Sequence, residues 1–415
     1  MKKYIFFVVG VMCTLLSHTA YAIDLNKSDA NIIGHVLEKK TGEHLPYMTV
    51  ALKGTTIGTM TDGTGHYFLK NLPEGEFILS VSAVGYKPQE RKVTLKRGKT
   101  LEENFELEED MVALDGVVVT ANRNETARRL APTLVKVVTP KLFDMTNSHT
   151  LSQGLVFQPG VRVENDCQNC GYSQVRINGM DGKYTQILID SRPIFSALAG
   201  VYGLEQIPAN MIERVEVVRG GGSALFGSSA IAGTVNIITK EPLRNSGSFA
   251  HSISNFDGSG SFDNNTTLNL SLVSSDNKMG AYIYGQNRHR SAWDSNGDGF
   301  SELPKLKNQT VGVNAYYRLS PYSKLNLEYH HMEEFRRGGN RFDLPPHIAE
   351  DANLNGSGEP GLVEQIEHSI NTGGLKFGAF SKDQKHAFNA YASAQHIVRD
   401  SYYLSLIHIS EPTRH

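Results

Sequence analysis

From Pro242 onward the chain settles into one repeated texture, which constrains its fold more than any single motif does. Segments mostly of about 9 to 12 residues alternate apolar and polar side chains between turns rich in Gly, Asn, Asp and Ser. They run over 248–256, 266–274, 280–287, 310–319, 324–333, 365–380 and 386–399. A tilted strand needs about 9 to 11 residues to cross a bilayer, so the lengths suit transmembrane strands. Leu268, Leu270 and Leu272 share one face, and Thr267, Asn269 and Ser271 share the other. Tyr282, Tyr284, Tyr316, Tyr317, Tyr402 and Tyr403 are expected in interfacial aromatic girdles. A soluble β-sandwich carries the same alternation, so the pattern alone leaves both architectures open.

Ahead of this region, Gln174 to Lys240 holds Val175-Arg176-Ile177-Asn178-Gly179, then Gln186-Ile187-Leu188-Ile189-Asp190, then Ile212-Glu213-Arg214-Val215-Glu216-Val217-Val218-Arg219-Gly220. It closes on Gly233-Thr234-Val235-Asn236-Ile237-Ile238-Thr239. Read physically, these are short β-branched strands joined by glycine turns in a compact mixed domain. The words and their order resemble the plug domain of TonB-dependent outer-membrane receptors over about Val117 to Pro242. The family motif falls on Arg214, Glu216, Arg219, Gly220, Gly227, Gly233 and Asn236. Gly221 stands where the family often has proline, Phe226 where it usually has tyrosine, and Ser191-Arg192-Pro193 where Gly-x-Pro is common.

The resemblance implies a mainly β protein with an α+β plug lodged in a transmembrane β-barrel. Seven strands cannot close around such a plug, because plugged transporters need about 22, and an open edge is costly in hydrocarbon. Residues 244–404 are therefore expected to be the first strands of a 22-stranded barrel, and 405–415 a non-native tail.

At the other end, residues 1–22 carry two lysines, an apolar run and Ala20-Tyr21-Ala22, the form of a secretory signal peptide. Without Lys2 and Lys3, 39 of the 41 Lys and Arg remain against 43 Asp and Glu, a balance that argues against a nucleic-acid partner. Cys13 leaves with the leader. Cys167 and Cys170 are then the remaining cysteines; in an oxidising compartment a local disulfide is preferred over a redox or metal role.

Residues 31–109 alternate in short runs broken by Thr41-Gly42-Glu43, Thr61-Asp62-Gly63 and Pro73-Glu74-Gly75, which suggests a seven-stranded β-sandwich. Met48, Val50 and Leu52 share one face, as do Phe77, Leu79 and Val81. The words Ile33-Gly34-x-Val36, Gly42-Glu43-x-Leu45-Pro46, Gly58-Thr59-x-Thr61-Asp62-x-x-Gly65-x-Tyr67 and Val84-Gly85-Tyr86 look like the carboxypeptidase-regulatory-like domain that precedes many Bacteroidetes-type receptors. No peptidase zinc set accompanies them, so the chain is not expected to be an enzyme.

Between sandwich and plug, residues 112–122 hold Asp115, Gly116, Val117, Val118, Val119 and Thr120. Ahead of a plug (123–243) this stretch resembles the TonB box, which pairs by strand addition with periplasmic TonB and, through it, with an inner-membrane energising complex. Asp181, Tyr184, Arg192, Phe195, Tyr202 and Glu205 lie in loops that the resemblance places toward the outer face, as candidate ligand contacts. Gly222 to Ser229 has the glycine spacing of a phosphate loop, but Ser228 stands where the lysine is needed, which disfavours nucleotide binding.

Asp294, Asn296, Asp298 and Glu302 put oxygen donors at alternate positions around a glycine bend, as a calcium loop requires. Lys305 excludes an EF-hand; a calcium-stabilised loop and a plain polar turn both fit. Beyond that structural calcium no cofactor is required. The resemblance implies import of a scarce metal chelate across a Gram-negative outer membrane, ferric siderophore first and cobalamin or haem next, with the sandwich in the periplasm and lipid around the barrel. A glycan importer of the same architecture, a β-rich adhesin and a signalling receptor are the alternatives.

Overall fold

The computed structural model describes residues 30–83, 85–109, 117–118, 126–127, 135–167, 172–193, 207–222, 226–227, 229–342, 344–349, 361–382 and 386–404. The amino-terminal domain holds eight strands: β1 (Ala30–Glu38), β2 (Thr49–Leu52), β3 (Gly58–Met60), β4 (His66–Leu72), β5 (Gly75–Ser82), β6 (Gln89–Leu95), β7 (Thr100–Glu102) and β8 (Phe105–Leu107). They form two sheets, β3-β2-β5-β6 and β4-β1-β7 with β8 also on β1. Val50, Leu52, Phe77, Leu79 and Val81 are buried between them and Met48 packs alongside, as alternation requires.

The strand count exceeds the expected seven because residues 100–107 divide. Both halves run parallel to β1, and between them Glu103 N–H bonds Ile33 O at 2.9 Å while its carbonyl lies against Gly34. A Cβ at Gly34 would overlap that carbonyl, so glycine is what lets the chain cross there.

The next domain carries β9 (Val117–Val118), β10 (Thr126–Ala127), β11 (Val135–Val138), α1 (Pro140–Met145), α2 (Leu151–Leu155), β12 (Val161–Cys167), β13 (Tyr172–Ile177), β14 (Thr185–Ile189), β15 (Arg192–Pro193), β16 (Ile212–Arg219) and β17 (Gly233–Thr239). Its five-stranded sheet runs β11-β16-β17-β14-β15, with β14 and β17 parallel. Helix α2 starts where Gln153 Oε1 accepts the His149 and Thr150 amides at 2.7 and 3.3 Å, satisfying donors at the helix start.

Seven antiparallel strands follow in sequence order: β18 (Ser246–Asn255), β19 (Phe262–Val273), β20 (Met279–Arg290), β21 (Lys305–Ser320), β22 (Ser323–Gly339), β23 (Val363–Phe380) and β24 (Ala387–Leu404). Their polarity is inverted relative to a soluble sandwich. Leu272 is 53% exposed on the outer face, whereas Arg336 is 1% exposed on the inner one. Phe249, Ile253, Leu268, Leu270, Val311 and Leu327 point outward, while Asn265, Gln286, Arg288, Asn308 and Glu334 are buried inward. Apolar residues outside and polar residues inside are what lipid demands.

Tyr282, Tyr284 and Tyr316 depart from the girdle expectation. They face inward and are buried, the first two joining the hydrophobic core of the preceding domain. Tyr317 is exposed on the outer face, whereas Tyr403, exposed on the edge strand β24, shares the inner face with Arg399, from which its hydroxyl accepts at 2.7 Å. Adjacent strands are joined by short turns at one end, 274–278, 321–322 and 381–386, and by the longer connections 291–304 and 340–362 at the other. The sandwich sits at the short-turn end: Thr56 N–H bonds Pro321 O at 2.8 Å and the Arg244 guanidinium lies 4.3 Å over the Tyr47 ring.

Candidate functional site

The centre of the molecule is the interface between the α+β globule and the inner face of the strands. Two features fix the globule's own shape. β16 and β17 pair so that Glu216 lies opposite Asn236, both fully buried. Glu216 is neutralised by Arg214 Nε at 2.9 Å, the pairing a buried charge requires. Asn236 Oδ1 accepts the Ser191 amide at 2.9 Å, holding the turn after β14, in which Asp190 and Ser191 both adopt positive φ. Asp190 in turn accepts from Thr239 N–H and hydroxyl at 3.0 and 2.6 Å. Gly220 and Gly227 take φ of about +100°, a region that favours glycine, and the Arg219 side chain lies over Gly160.

Polar groups then tie the globule to the wall at several heights. Asn210 Nδ2 donates to Asn269 Oδ1 at 2.9 Å, and Tyr282 hydroxyl donates to Asn210 O at 2.9 Å. His149 Nε2 meets Ser252 Oγ at 3.1 Å. Asn314 Nδ2 donates to Thr239 Oγ1 at 3.1 Å, and Arg192 forms an ion pair with Glu328. Between these ties lies a cavity of about 100 Å³, lined by Ile189, Arg192, Met211, Tyr284, Glu328 and Ile370. Ligand sites usually span about 300–1,000 Å³, so this cavity is too small to hold a chelate.

The residues singled out from sequence separate into distinct places. Arg192 is mostly buried against the wall, where its partner Glu328 stands five residues from the short-turn start of β22 and eleven from its long-loop end. Asp181 is exposed and pairs with Arg176 at 3.4 Å, beside an open groove bordered by Gly160, Arg162, Glu164 and Asn178. Tyr184 is half-buried, its carbonyl accepting the Ile231 and Ala232 amides at 3.1 and 2.9 Å. Phe195, Tyr202 and Glu205 lie outside the described residues, as do Asp115, Gly116, Val119 and Thr120. Val117 and Val118 form β9, paired with Ala127 and Thr126. Cys167 ends β12 opposite Tyr172; its side chain and Cys170 are likewise outside the description.

In the long-loop connection 291–304, carboxylate oxygens of Asp294, Asp298 and Glu302 lie within 4.8 Å of one another. Asp294 accepts the Gly297 and Gly299 amides at 2.7 Å each, and Asn296 Oδ1 accepts the Asp298 amide at 3.0 Å. The turn is thus preformed by its own backbone, with three carboxylates aimed at one point, a donor set suited to a hard cation.

The wall residues Ser252, Asn314 and Glu328 were not singled out from sequence, and Asn269 only as one member of a polar face. Their one signal is a polar side chain at an inward position of an otherwise lipid-compatible strand.

Comparison with known proteins matches residues 32–119 to the CarboxypepD_reg-like domain family and residues 127–234 to the TonB-dependent Receptor Plug Domain family. The chain is 35% identical over 229 residues to a vitamin B12 transporter BtuB of Vibrio vulnificus, covering 48% of this chain and 37% of that protein. It is 37% identical over 128 residues to a vitamin B12 transporter BtuB of Photobacterium profundum, covering 30% of this chain and 20% of that protein. The chain therefore matches well under two thirds of these relatives' length. Among solved structures, the siderophore receptor PirA from Acinetobacter baumannii superposes with a TM-score of 0.53 at 20% identity, over 67% of this chain and 41% of that one, a likeness of fold.

Proposed function

The chain belongs to the TonB-dependent receptors, and from that premise we propose that it takes part in energised import of a metal chelate across the outer membrane. The observation that carries the proposal is a globule clamped by polar bonds to the inner face of strands whose outer face is apolar. Such a globule blocks the bore, so passage requires that it shift or partly unfold. Polar contacts suit that step, since each broken one can be replaced by a bond to water at small net cost.

The ligand binds at the long-loop end, where the connections are long enough to reach over it, and Asp181 and Tyr184 remain contact candidates together with Phe195, Tyr202 and Glu205. Residues 115–120 supply the strand that TonB joins by main-chain pairing at the opposite, periplasmic end, beside the sandwich. Cobalamin is the first chelate to test, with ferric siderophores second. Both sequence relatives described above are vitamin B12 transporters by name, and the Asp294 loop suits a calcium ion that would stiffen an outer loop.

The test is uptake of labelled cyanocobalamin and of labelled ferric siderophores by cells whose own receptors are deleted and which carry the intact protein, with and without TonB. Uptake of one chelate that disappears without TonB is expected. Uptake that persists without TonB would overturn energised import, and uptake of neither chelate would favour an adhesin or a signalling receptor.

A further inference from the structure

Three histidines occupy positions that the sandwich motifs leave unspecified: His35 in Ile33-Gly34-x-Val36, His44 in Gly42-Glu43-x-Leu45-Pro46 and His66 in Gly65-x-Tyr67. None belongs to the sandwich core, yet the fold gathers them. His35 and His66 are cross-strand partners on β1 and β4, and the Leu37–His44 bridge folds the following loop back onto β1. Ring centroids lie 5.3 Å apart for His35 and His44, 5.8 Å for His35 and His66, and 4.9 Å for His44 and His66. Gly65 makes this approach feasible, because a Cβ there would stand 2.8 Å from that of His44. His35 is half-buried and the other two are exposed, so ions can reach all three.

One ring is already oriented. The Thr64 hydroxyl donates to Asp62 Oδ1 at 2.7 Å, so in its 3.1 Å contact with His66 Nδ1 it accepts. That network assigns the proton to Nδ1 and leaves the lone pair on Nε2. Metal-binding imidazoles are commonly held this way, with the second nitrogen donating to a polar group.

We propose that His35, His44 and His66 form a site for one divalent transition-metal ion, zinc or copper(II), whose fourth position is open to water or to a partner's ligand. Three imidazoles at metal–nitrogen distances of about 2.1 Å hold their ring centres roughly 5 Å apart, close to the spacing present; the ring nitrogens do not yet converge, and closing the site requires the side chains to rotate about positions the backbone already supplies. Imidazole selects zinc, copper or nickel over calcium and magnesium. The Asp294 loop, at the opposite end of the strands from the sandwich, offers oxygen donors and selects the reverse.

The intact, tag-free receptor in detergent, stripped with chelator, is titrated with zinc chloride by calorimetry and with cobalt(II) by visible absorption. One equivalent of zinc and the intense bands of low-coordinate cobalt are expected. Replacing all three histidines by asparagine abolishes both, and Thr64→Val weakens zinc about tenfold, while Asp294→Asn with Asp298→Asn leaves zinc binding unchanged. On the unmodified protein, zinc protects His35, His44 and His66 from acylation by diethyl pyrocarbonate, read by peptide mass spectrometry. Equal labelling with and without zinc, or undiminished zinc stoichiometry in the triple variant, overturns the proposal.

Discussion

Arg192 on β15 of the plug reaches across to Glu328 on the wall strand β22, and the two form an ion pair in which both side chains are mostly buried. Gly374 on the neighbouring β23 gives the guanidinium the room it needs. Removing one partner leaves the other charged against low-dielectric surroundings. Glu328→Gln is expected to loosen the plug by about 1–3 kcal/mol, less than a fully buried pair because some solvent remains. Faster hydrogen exchange in residues 185–193, restored in part by the double variant Arg192→Gln/Glu328→Gln, checks it; unchanged exchange would show the pair to be passive.

Glu241, where the plug passes into the wall, lies 2.9 Å from Lys324 Nζ. The ammonium holds its carboxyl down to about 2. A folded-state pKa below the ordinary 4.5 means the tie is fully present above that pH and is lost as pH falls toward about 2. The melting temperature should therefore drop across this window by less in Lys324→Met than in the unaltered protein.

Gly233 begins β17 with no space for a side chain, since a Cβ would overlap Val218 O and crowd Ile177. Gly233→Ala is expected to push β16 and β17 apart at a cost of about 1–3 kcal/mol. Gly221→Ala, where a Cβ meets nothing within 4 Å, is the control. Exchange rates of the β16 and β17 amides should rise in the first variant and hold in the second.

Val118→Pro removes a backbone donor and fixes φ in the stretch proposed to pair with TonB. Chelate uptake is expected to vanish while chelate binding to the purified receptor stays the same. Retained uptake would refute the assignment of residues 115–120.

Calcium titrated calorimetrically into the intact receptor should bind at the Asp294 loop, and Asp294→Asn with Asp298→Asn should remove that heat. Absence of heat at millimolar calcium would leave a backbone-stabilised turn.

Much of the architecture could be read from residues because strand periodicity assigns faces without any knowledge of what covers them. Leu268, Leu270 and Leu272 were bound to share a side, and they share the outer one. Which side the tyrosines choose is a different matter. Tyr282 and Tyr284 also share a face, but an aromatic ring with a hydroxyl suits a lipid headgroup and a polar lumen equally, and only the presence of Asn210 and His330 opposite decides it. Pairings such as Arg192 with Glu328 join elements far apart in sequence, and nothing local in either segment announces the other. The three histidines of the sandwich are similar: strand register, not spacing along the chain, makes them neighbours.

The sandwich's perch on the Pro321 turn bears on how a mechanical load would divide. Residues 117–118 lie between two tethered bodies, so tension applied there runs both ways along the backbone. One direction meets a hydrogen bond from Thr56, the packing of Tyr322 against the sandwich core, an Arg318 bond to Gly58 O and the stacking of Arg244 on Tyr47; the other meets a five-stranded sheet and its anchors. A load that broke the sandwich's contacts first would free that domain before the five-stranded sheet is disturbed, adding the length of the linker to the segment under tension.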